Sequence, residues 1–284
     1  MSQNKDWDLI LQPKPLFFSL GIKDIWEYRD LILLFVKRDI VSQYKQTILG
    51  PLWLVIQPLL STIFLTVIFN YFAKFNSGET PYPIFILSGL AIWNFFSTSF
   101  SKTSNIFVSN ATIFGKVYFP RLTVPISSII ANHLTFLIQF VILLIVILFY
   151  GSTKHYEWHV NLLALIFLPF ILISSGLLGM GIGLIVSSLT TKYRDLSFLT
   201  GFILQFLMYF SAVAFPISSF NRTYQFIFNL NPVLHLVGFF RACILNSPLP
   251  GFYSLLYTAV FILVFLLMGM MIFQKVEKNF MDTV

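Results

Sequence analysis

The sequence predicts an all-α membrane protein: six transmembrane helices, an N-terminal amphipathic interfacial helix, and short re-entrant outer-face helices between spans five and six. Three observations predict it. Of 284 residues, 57% are hydrophobic and 10% charged, against about 25% charged in an ordinary soluble domain. Six apolar runs are long enough to cross a bilayer and none contains Asp, Glu, Lys or Arg. The basic residues between the runs sort to one side.

In chain order, the first ~50 residues are polar and of mixed charge, unlike the early short apolar stretch of a cleavable signal peptide. The first span is therefore expected to act as the insertion signal. Residues 22–49 mix a charged set (Lys23, Asp24, Glu27, Asp30, Lys37, Arg38, Lys45) with apolar residues recurring every three to five positions (Ile25, Trp26, Ile32, Phe35, Ile40, Tyr44, Ile48). That spacing predicts an amphipathic helix lying in the cytoplasmic interface; a soluble linker helix is the alternative.

The six apolar runs cover residues 52–73, 82–100, 124–150, 162–189, 196–216 and 252–273. Each is continuous rather than alternating, so helices and not barrel strands satisfy the backbone in lipid. Placing the N-terminus inside puts Lys5, Lys14, Lys23, Arg29, Lys37, Arg38, Lys45, Lys102, Lys116, Arg121, Lys192, Arg194, Lys275 and Lys278 in the cytoplasm. Only Lys74, Lys154, Arg222 and Arg241 fall outside, a 14 to 4 division that orients both termini inward. Pro58 and Pro169 are expected to kink their helices. Ser175, Gly179 and Gly183, four residues apart, suit close helix packing. Asn94 and Gln205 are expected to be interhelical hydrogen-bond partners.

Residues 217–251 are too long for a simple connector. Asn231-Pro232 supplies a helix cap and a first-turn proline. A seventh span here would turn the Lys275 and Lys278 tail outward and bury Arg241 at roughly 2.5–3.5 kcal/mol or more. Two short helices dipping into the outer face fit better, and such segments persist at membrane depth when packed in protein or lining a cavity. No repeat or domain boundary interrupts the chain, which reads as one transmembrane domain over residues 1–284.

The absences exclude several functions. There is no G-x-x-x-x-G-K-[ST] phosphate loop, so ATP hydrolysis by that route is excluded. Between residues 50 and 275 the carboxylates are Glu79, Glu157 and Asp195, all between spans. A proton-driven carrier usually keeps an ionisable group near the midplane, where only His133 lies, beside Asn132, as a packed polar residue. Paired catalytic carboxylates are missing, which removes a glycan-modifying enzyme. No metal site is expected: His155 and His159 are spaced i, i+4, but two ligands are a weak signal. Cys243 is the lone cysteine and reads as a small buried apolar residue. The net charge of +7 sits between apolar runs, so it points to membrane lipid and not to nucleic acid. A transporter without its own energy source needs a separate subunit to supply it. The connections 101–120 and 190–195, carrying Lys102, Lys116, Lys192, Arg194 and Asp195, are places where such a subunit could push, or simply positive-inside anchors.

Four runs carry a family likeness. RDIVSQYKQTILGPLWLVIQP (residues 38–58) resembles the entry to the first span of ABC-2 type permeases that export polysaccharides. GKVYFPRLTVP (115–125) resembles their cytoplasmic coupling segment, KYRDL (192–196) the turn before their fifth span, and NLNPVLHLVGFFR (229–241) their outer-face gate helices. The likeness runs from about residue 25 to the end. It implies a homodimer working with two copies of an ABC nucleotide-binding ATPase subunit. That partner would hold ATP and Mg, with no cofactor on this chain. The cargo would be a lipid-linked polysaccharide such as an O-antigen, crossing the cytoplasmic (inner) membrane. Teichoic acid translocation permeases are close relatives of that family.

Carried over residue by residue, the resemblance makes Lys116, Phe119, Pro120, Arg121, Arg194 and Asp195 the coupling residues. Pro120 is expected to end a short helix, Arg121 and Lys116 to meet acidic groups on the ATPase, and Asp195 to pair with Arg194. Spans one and five offer Trp53, Phe64, Phe69, Tyr71, Phe202, Phe206, Tyr209 and Phe210 as conduit lining, where aromatic faces meet sugar C–H faces; membrane-interface anchoring is the other use for such residues. Asn231, Pro232, His235 and Arg241 form the outer gate. The rival readings are an ABC-2 permease for a small lipid or drug, and a secondary carrier or flippase with no ATPase.

Overall fold

The computed structural model describes residues 22–280 apart from 46, 47, 118, 155, 157, 159–164 and 194. Lys5, Lys14, the His155 and His159 pair, Glu157, Arg194 and the start of the fourth apolar run therefore lie outside the described residues. Those described are all-α, with no strand among them. Two short helices come first, α1 (Ile22–Glu27) and α2 (Arg29–Tyr44). A 3-10 turn (Gly50–Leu52) opens α3 (Trp53–Thr66), which continues through a π turn to Phe72. Then follow α4 (Tyr82–Ser104), α5 (Ile106–Ser109), α6 (Ala111–Phe114) and α7 (Thr123–Lys154). The chain ends with α8 (Leu168–Thr190), α9 (Leu196–Phe210), α10 (Arg222–Asn229), α11 (Pro232–Leu245) and α12 (Phe252–Phe280).

Among the described residues, five helices are long and apolar enough to cross a membrane: Gly50–Phe72, α4, α7, α8 and α12. The fifth apolar run behaves differently. Its regular helix, α9, stops after 15 residues, about 22 Å at 1.5 Å per residue, short of the ~30 Å hydrocarbon thickness. The rest of that run is a packed turn in which Ala212 has φ +50°. That left-handed conformation costs a residue with a side chain roughly 1–2 kcal/mol, so tertiary contacts must hold it. Between spans five and six, α10 and α11 meet at 98°, the two short helices expected there.

The bundle is built around α4. In its most apolar stretch 78% of the residues are buried, against 22% for α3 and 17% for α12, so α4 is the central post and the others surround it. Its packing against α8 depends on small residues. A Cβ on Gly179 would lie 2.9 Å from the Phe96 carbonyl oxygen, and one on Gly183 would lie 2.7 Å from Thr103 Cβ. These two glycines therefore bring the helix backbones together, as the four-residue spacing predicted. Asn94 reaches α7, donating to Gln139 Oε1 at 3.3 Å, whereas Gln205 is exposed on α9. Asn132 donates to the Phe95 carbonyl at 2.9 Å and to Ser99 Oγ at 3.1 Å, and His133 bonds the Ile129 carbonyl at 2.9 Å. Pro58 lies inside α3, but Pro169 sits in the first turn of α8. A proline there lacks only an amide that has no helical partner, so it starts the helix and does not kink it.

A second apolar cluster closes one end of the bundle. It joins Phe35 of α2, Phe107 and Phe114 of α5 and α6, Phe119, and Phe273 of α12. The single apolar face expected for residues 22–49 is not what α1 and α2 present. Ile32 and Phe35 are buried, while Leu33 and Leu34 on the other side are 62% and 60% exposed. The buried face is claimed by protein, chiefly α7, and the helix breaks at Tyr28.

Candidate functional site

The sequence-predicted residues fall into three zones, and each folds for its own reason. At the closed end, residues 105–117 and 119–122 form two short helices and a turn clamped between α2 and α12. Phe119 is 5% exposed; its ring lies 5.5 Å from Phe35 and 5.8 Å from Phe114. Phe107 stacks on Phe273 at 4.8 Å. Arg121 is turned inward at 6% exposure. Its Nη1 donates to the Glu277 carbonyl at 3.2 Å, its Nε lies 3.6 Å from Glu277 Oε1, and its guanidinium covers the Phe114 ring at 5.3 Å. Burial lowers the Arg121 pKa and the Glu277 carboxylate opposes that shift. Arg121 thus ties this segment to the last helix of its own chain, where the sequence had suggested a contact with another subunit. Lys116 stays exposed. Pro120 differs from expectation: α6 has already ended at Phe114, and Pro120 leads into α7, its carbonyl accepting from Thr123 N at 3.0 Å and Thr123 Oγ1 at 2.8 Å. It starts a helix instead of ending one. Asp195 is exposed at the start of α9, and the Arg194 expected to pair with it lies outside the described residues.

The aromatic set of α3 and α9 divides. Trp53, Phe64 and Tyr71 are 49%, 64% and 77% exposed, and Phe202 and Phe206 are 62% and 65% exposed, so these five face away from their own chain. Phe69 turns inward, its ring 6.4 Å from Tyr209 and 5.7 Å from Phe215. Phe210 lies 5.4 Å from Phe228 of α10. Phe69, Tyr209 and Phe210 therefore knit the ends of α3, α9 and α10 together.

The third zone is at the far end. Asn231 caps α11, accepting from Val233 N at 3.0 Å, and donates to Ser211 Oγ at 2.9 Å. Pro232 occupies the first turn. His235 Nε2 donates to the Asn229 carbonyl at 2.9 Å, holding the 98° corner. Arg241 is 7% exposed and has carbonyl and hydroxyl oxygens as hydrogen-bond acceptors. Nη1 donates to the Ala212 carbonyl at 2.9 Å, Nη2 to Phe85 and Val213 carbonyls at 2.9 and 3.0 Å, and Nε to Ser88 Oγ at 3.3 Å. Its carbon Cζ sits 3.6 Å from the centre of the Phe85 ring. Tyr82 donates to the next carbonyl, Ala214, at 2.7 Å. Backbone groups freed where α9 stops would be costly if unpaired in an apolar interior; Arg241 and Tyr82 satisfy them. Gly89 leaves the space: a Cβ there would lie 2.5 Å from Arg241 Nη2.

One arrangement escaped the sequence reading. A cleft of about 520 Å³ opens between α2, α4, the α5–α6 segment and α7. Arg38 and Asp39 line it, joined from Nη2 and Nε to Oδ1 at 2.8 and 3.1 Å, and Ser128 donates to Asp39 Oδ2 at 3.2 Å. Lys102 faces the same cleft. From the sequence, Lys102 stood as an orientation charge in the 101–120 connection and Arg38 as a charge of the N-terminal helix that opens the 38–58 run, with Asp39 beside it; nothing brought the three to one cleft. The adjacency of Arg38 and Asp39 was the one available signal.

Comparison with known proteins fits this layout. The ABC-2 type transporter family profile matches residues 30–245. The O-antigen export system permease protein RfbA of Klebsiella pneumoniae is 26% identical over 254 residues, 89% of this chain and 94% of that protein. RfbA of Myxococcus xanthus is 23% identical, covering 93% of this chain and 98% of its own. The polysialic acid transport protein KpsM of Escherichia coli is 27% identical, covering 85% and 91%.

Proposed function

We propose a function for this chain from the family it belongs to, the ABC-2 type transporters, whose profile covers residues 30–245. It is the membrane permease subunit of an ABC exporter that moves a polysaccharide across the cytoplasmic membrane, the glycan being lipid-linked and O-antigen-like. The observation that carries this is the near full-length similarity to polysaccharide export permeases, up to 98% of the relative's length. A separate ATPase subunit, in two copies, binds ATP and Mg and supplies the energy. Two copies of this chain assemble, with both termini in the cytoplasm, as the division of Lys and Arg favours.

The geometry supports a mechanical route. ATPase closure would push on the exposed part of residues 115–120, including Lys116, with Asp195 at a second contact. Phe119 would pass that push to α2 through Phe35, and Arg121 would pass it to α12 through Glu277. The outward-facing Trp53, Phe64, Tyr71, Phe202 and Phe206 would then line a path between two copies, where aromatic faces let a sugar chain slide. At the far end, the corner held by Asn231 and His235 would shape the exit, with Arg241 as its internal brace.

Deleting the gene in the source organism tests the assignment. The expected result is lipid-linked glycan accumulating on the cytoplasmic face and lost from the surface, both reversed by the intact gene. Unchanged surface glycan overturns the polysaccharide assignment and makes export of a small lipid or drug the leading reading.

A further inference from the structure

The cleft beside Lys102 is chemically out of place. The chain is 57% hydrophobic, yet ten of the cleft's twelve lining residues are polar and only Ile113 and Val124 are apolar. A cavity of 300–1,000 Å³ with convergent polar groups is the usual form of a ligand site, and a polar cavity holds water or a polar ligand.

Its charges are unevenly matched. The charged residues lining it are Arg38, Asp39 and Lys102. Asp39 uses one carboxylate oxygen on Arg38 and the other on Ser128, and its single negative charge also acts on the Lys102 ammonium. Arg38 Nη1 makes only a long 3.5 Å approach to Asn110 Oδ1. Lys102 is half-buried, and no hydrogen bond or ion pair to its ammonium occurs among the described residues. The cleft therefore carries one positive charge in excess, and Arg38, Ser101 and Lys102 all line it.

Depth narrows the ligand. Lys102 lies in the last turn of α4, about 30 Å along the helix from Tyr82 at 1.5 Å per residue, which is one hydrocarbon thickness. With Tyr82 at one edge of the hydrocarbon, the cleft would fall at the level of the lipid phosphates at the other. A compact anion with several acceptor oxygens suits a lysine point charge beside an arginine edge. We propose that the cleft bounded by Arg38, Ser101 and Lys102 binds a phosphoryl headgroup. The export reading supplies one source, the phosphate that links a glycan to its lipid; free inorganic phosphates and ordinary anionic lipids share the chemistry.

The test uses the full chain with its ATPase partner, in nanodiscs of neutral phosphatidylcholine. Inorganic pyrophosphate is titrated and followed by ³¹P line broadening and by thermal unfolding, with sodium chloride at matched ionic strength as reference. Wild type is expected to saturate, Lys102→Gln to need about tenfold more pyrophosphate, the loss of one charge-assisted contact, and Lys102→Arg to recover most of it. A parallel set of discs containing phosphatidylglycerol, read by native mass spectrometry, identifies the source. Retention of that lipid by wild type but not by Lys102→Gln supports the site with a lipid headgroup as ligand, whether or not free pyrophosphate binds. Equal behaviour of wild type and Lys102→Gln in both arms, or full reproduction by chloride, overturns the proposal. A cleft that binds while the cells export no glycan would fail the export reading and leave the phosphoryl site standing.

Discussion

Arg241 and Lys102 present the same physical problem at opposite ends of α4, and the chain treats them differently. Each is a cation inside a protein that faces lipid. Arg241 is surrounded by three backbone carbonyls, one hydroxyl and one aromatic ring, and Gly89 leaves it just enough room. Lys102 faces a cleft of about 520 Å³ and has no hydrogen-bond partner among the described residues. A cation enclosed by matched acceptors is structural, because moving it would orphan every acceptor. A cation lining an open polar cleft is available to something that arrives from outside.

The largest effect should come from breaking the enclosed site. Arg241→Met removes the donors to Ala212, Val213, Phe85 and Ser88 and leaves the left-handed Ala212 without support. Partial relief from burying no charge reduces the loss, but roughly 3 kcal/mol or more of stability should disappear. Thermal unfolding in detergent and the yield of folded protein check this. Arg241→Lys should lie between, since an ammonium reaches fewer of the carbonyls. A near-neutral Arg241→Met would mean that the end of α9 is held by something else, and the contrast with Lys102 would collapse.

How much of this was legible in the sequence follows from what each feature is made of. Charge-free apolar runs are side-chain facts, so five long helices could be read directly. The early stop of α9 could not, because it depends on backbone carbonyls meeting an arginine that lies about thirty positions later in the chain. The burial cost of Arg241 was anticipated as an argument against a seventh span, but its acceptors are main-chain atoms and leave no trace in residue types. The apolar positions in residues 22–49 recur at helical spacing, which shows neither that the helix breaks at Tyr28 nor which side α7 covers. Arg121 was singled out by the family likeness and its charge, but its partner Glu277 lies 156 positions away, and neither a motif match nor a positive-inside count has a term for such pairs. The cleft stayed hidden because its polar residues come from separate helices and are unremarkable in each.

A middle-sized effect is expected where a cation is buried but paired. Arg121→Gln should cost about 1–2 kcal/mol, and Glu277→Gln less, since Glu277 keeps 30% side-chain exposure. A double-mutant cycle should give a coupling of about 1 kcal/mol. If Arg121 carries motion from residues 115–120 to α12, ATPase activity should persist in Arg121→Gln while glycan export falls. Full export by a folded Arg121→Gln protein would leave Arg121 as a fastener with no part in transmission.

The smallest effect separates the two ends most sharply. Lys102→Met removes a half-buried charge that has no hydrogen-bond partner to leave behind, so stability should stay within about 0.5 kcal/mol of the parent or rise. The same substitution that dismantles the Arg241 site should therefore be tolerated at Lys102, with the two melting curves measured side by side. A loss at Lys102 as large as at Arg241 would show that the ammonium is a structural element of the bundle end. The excess charge would then be part of the fold, and the cleft would have no cation to offer a ligand.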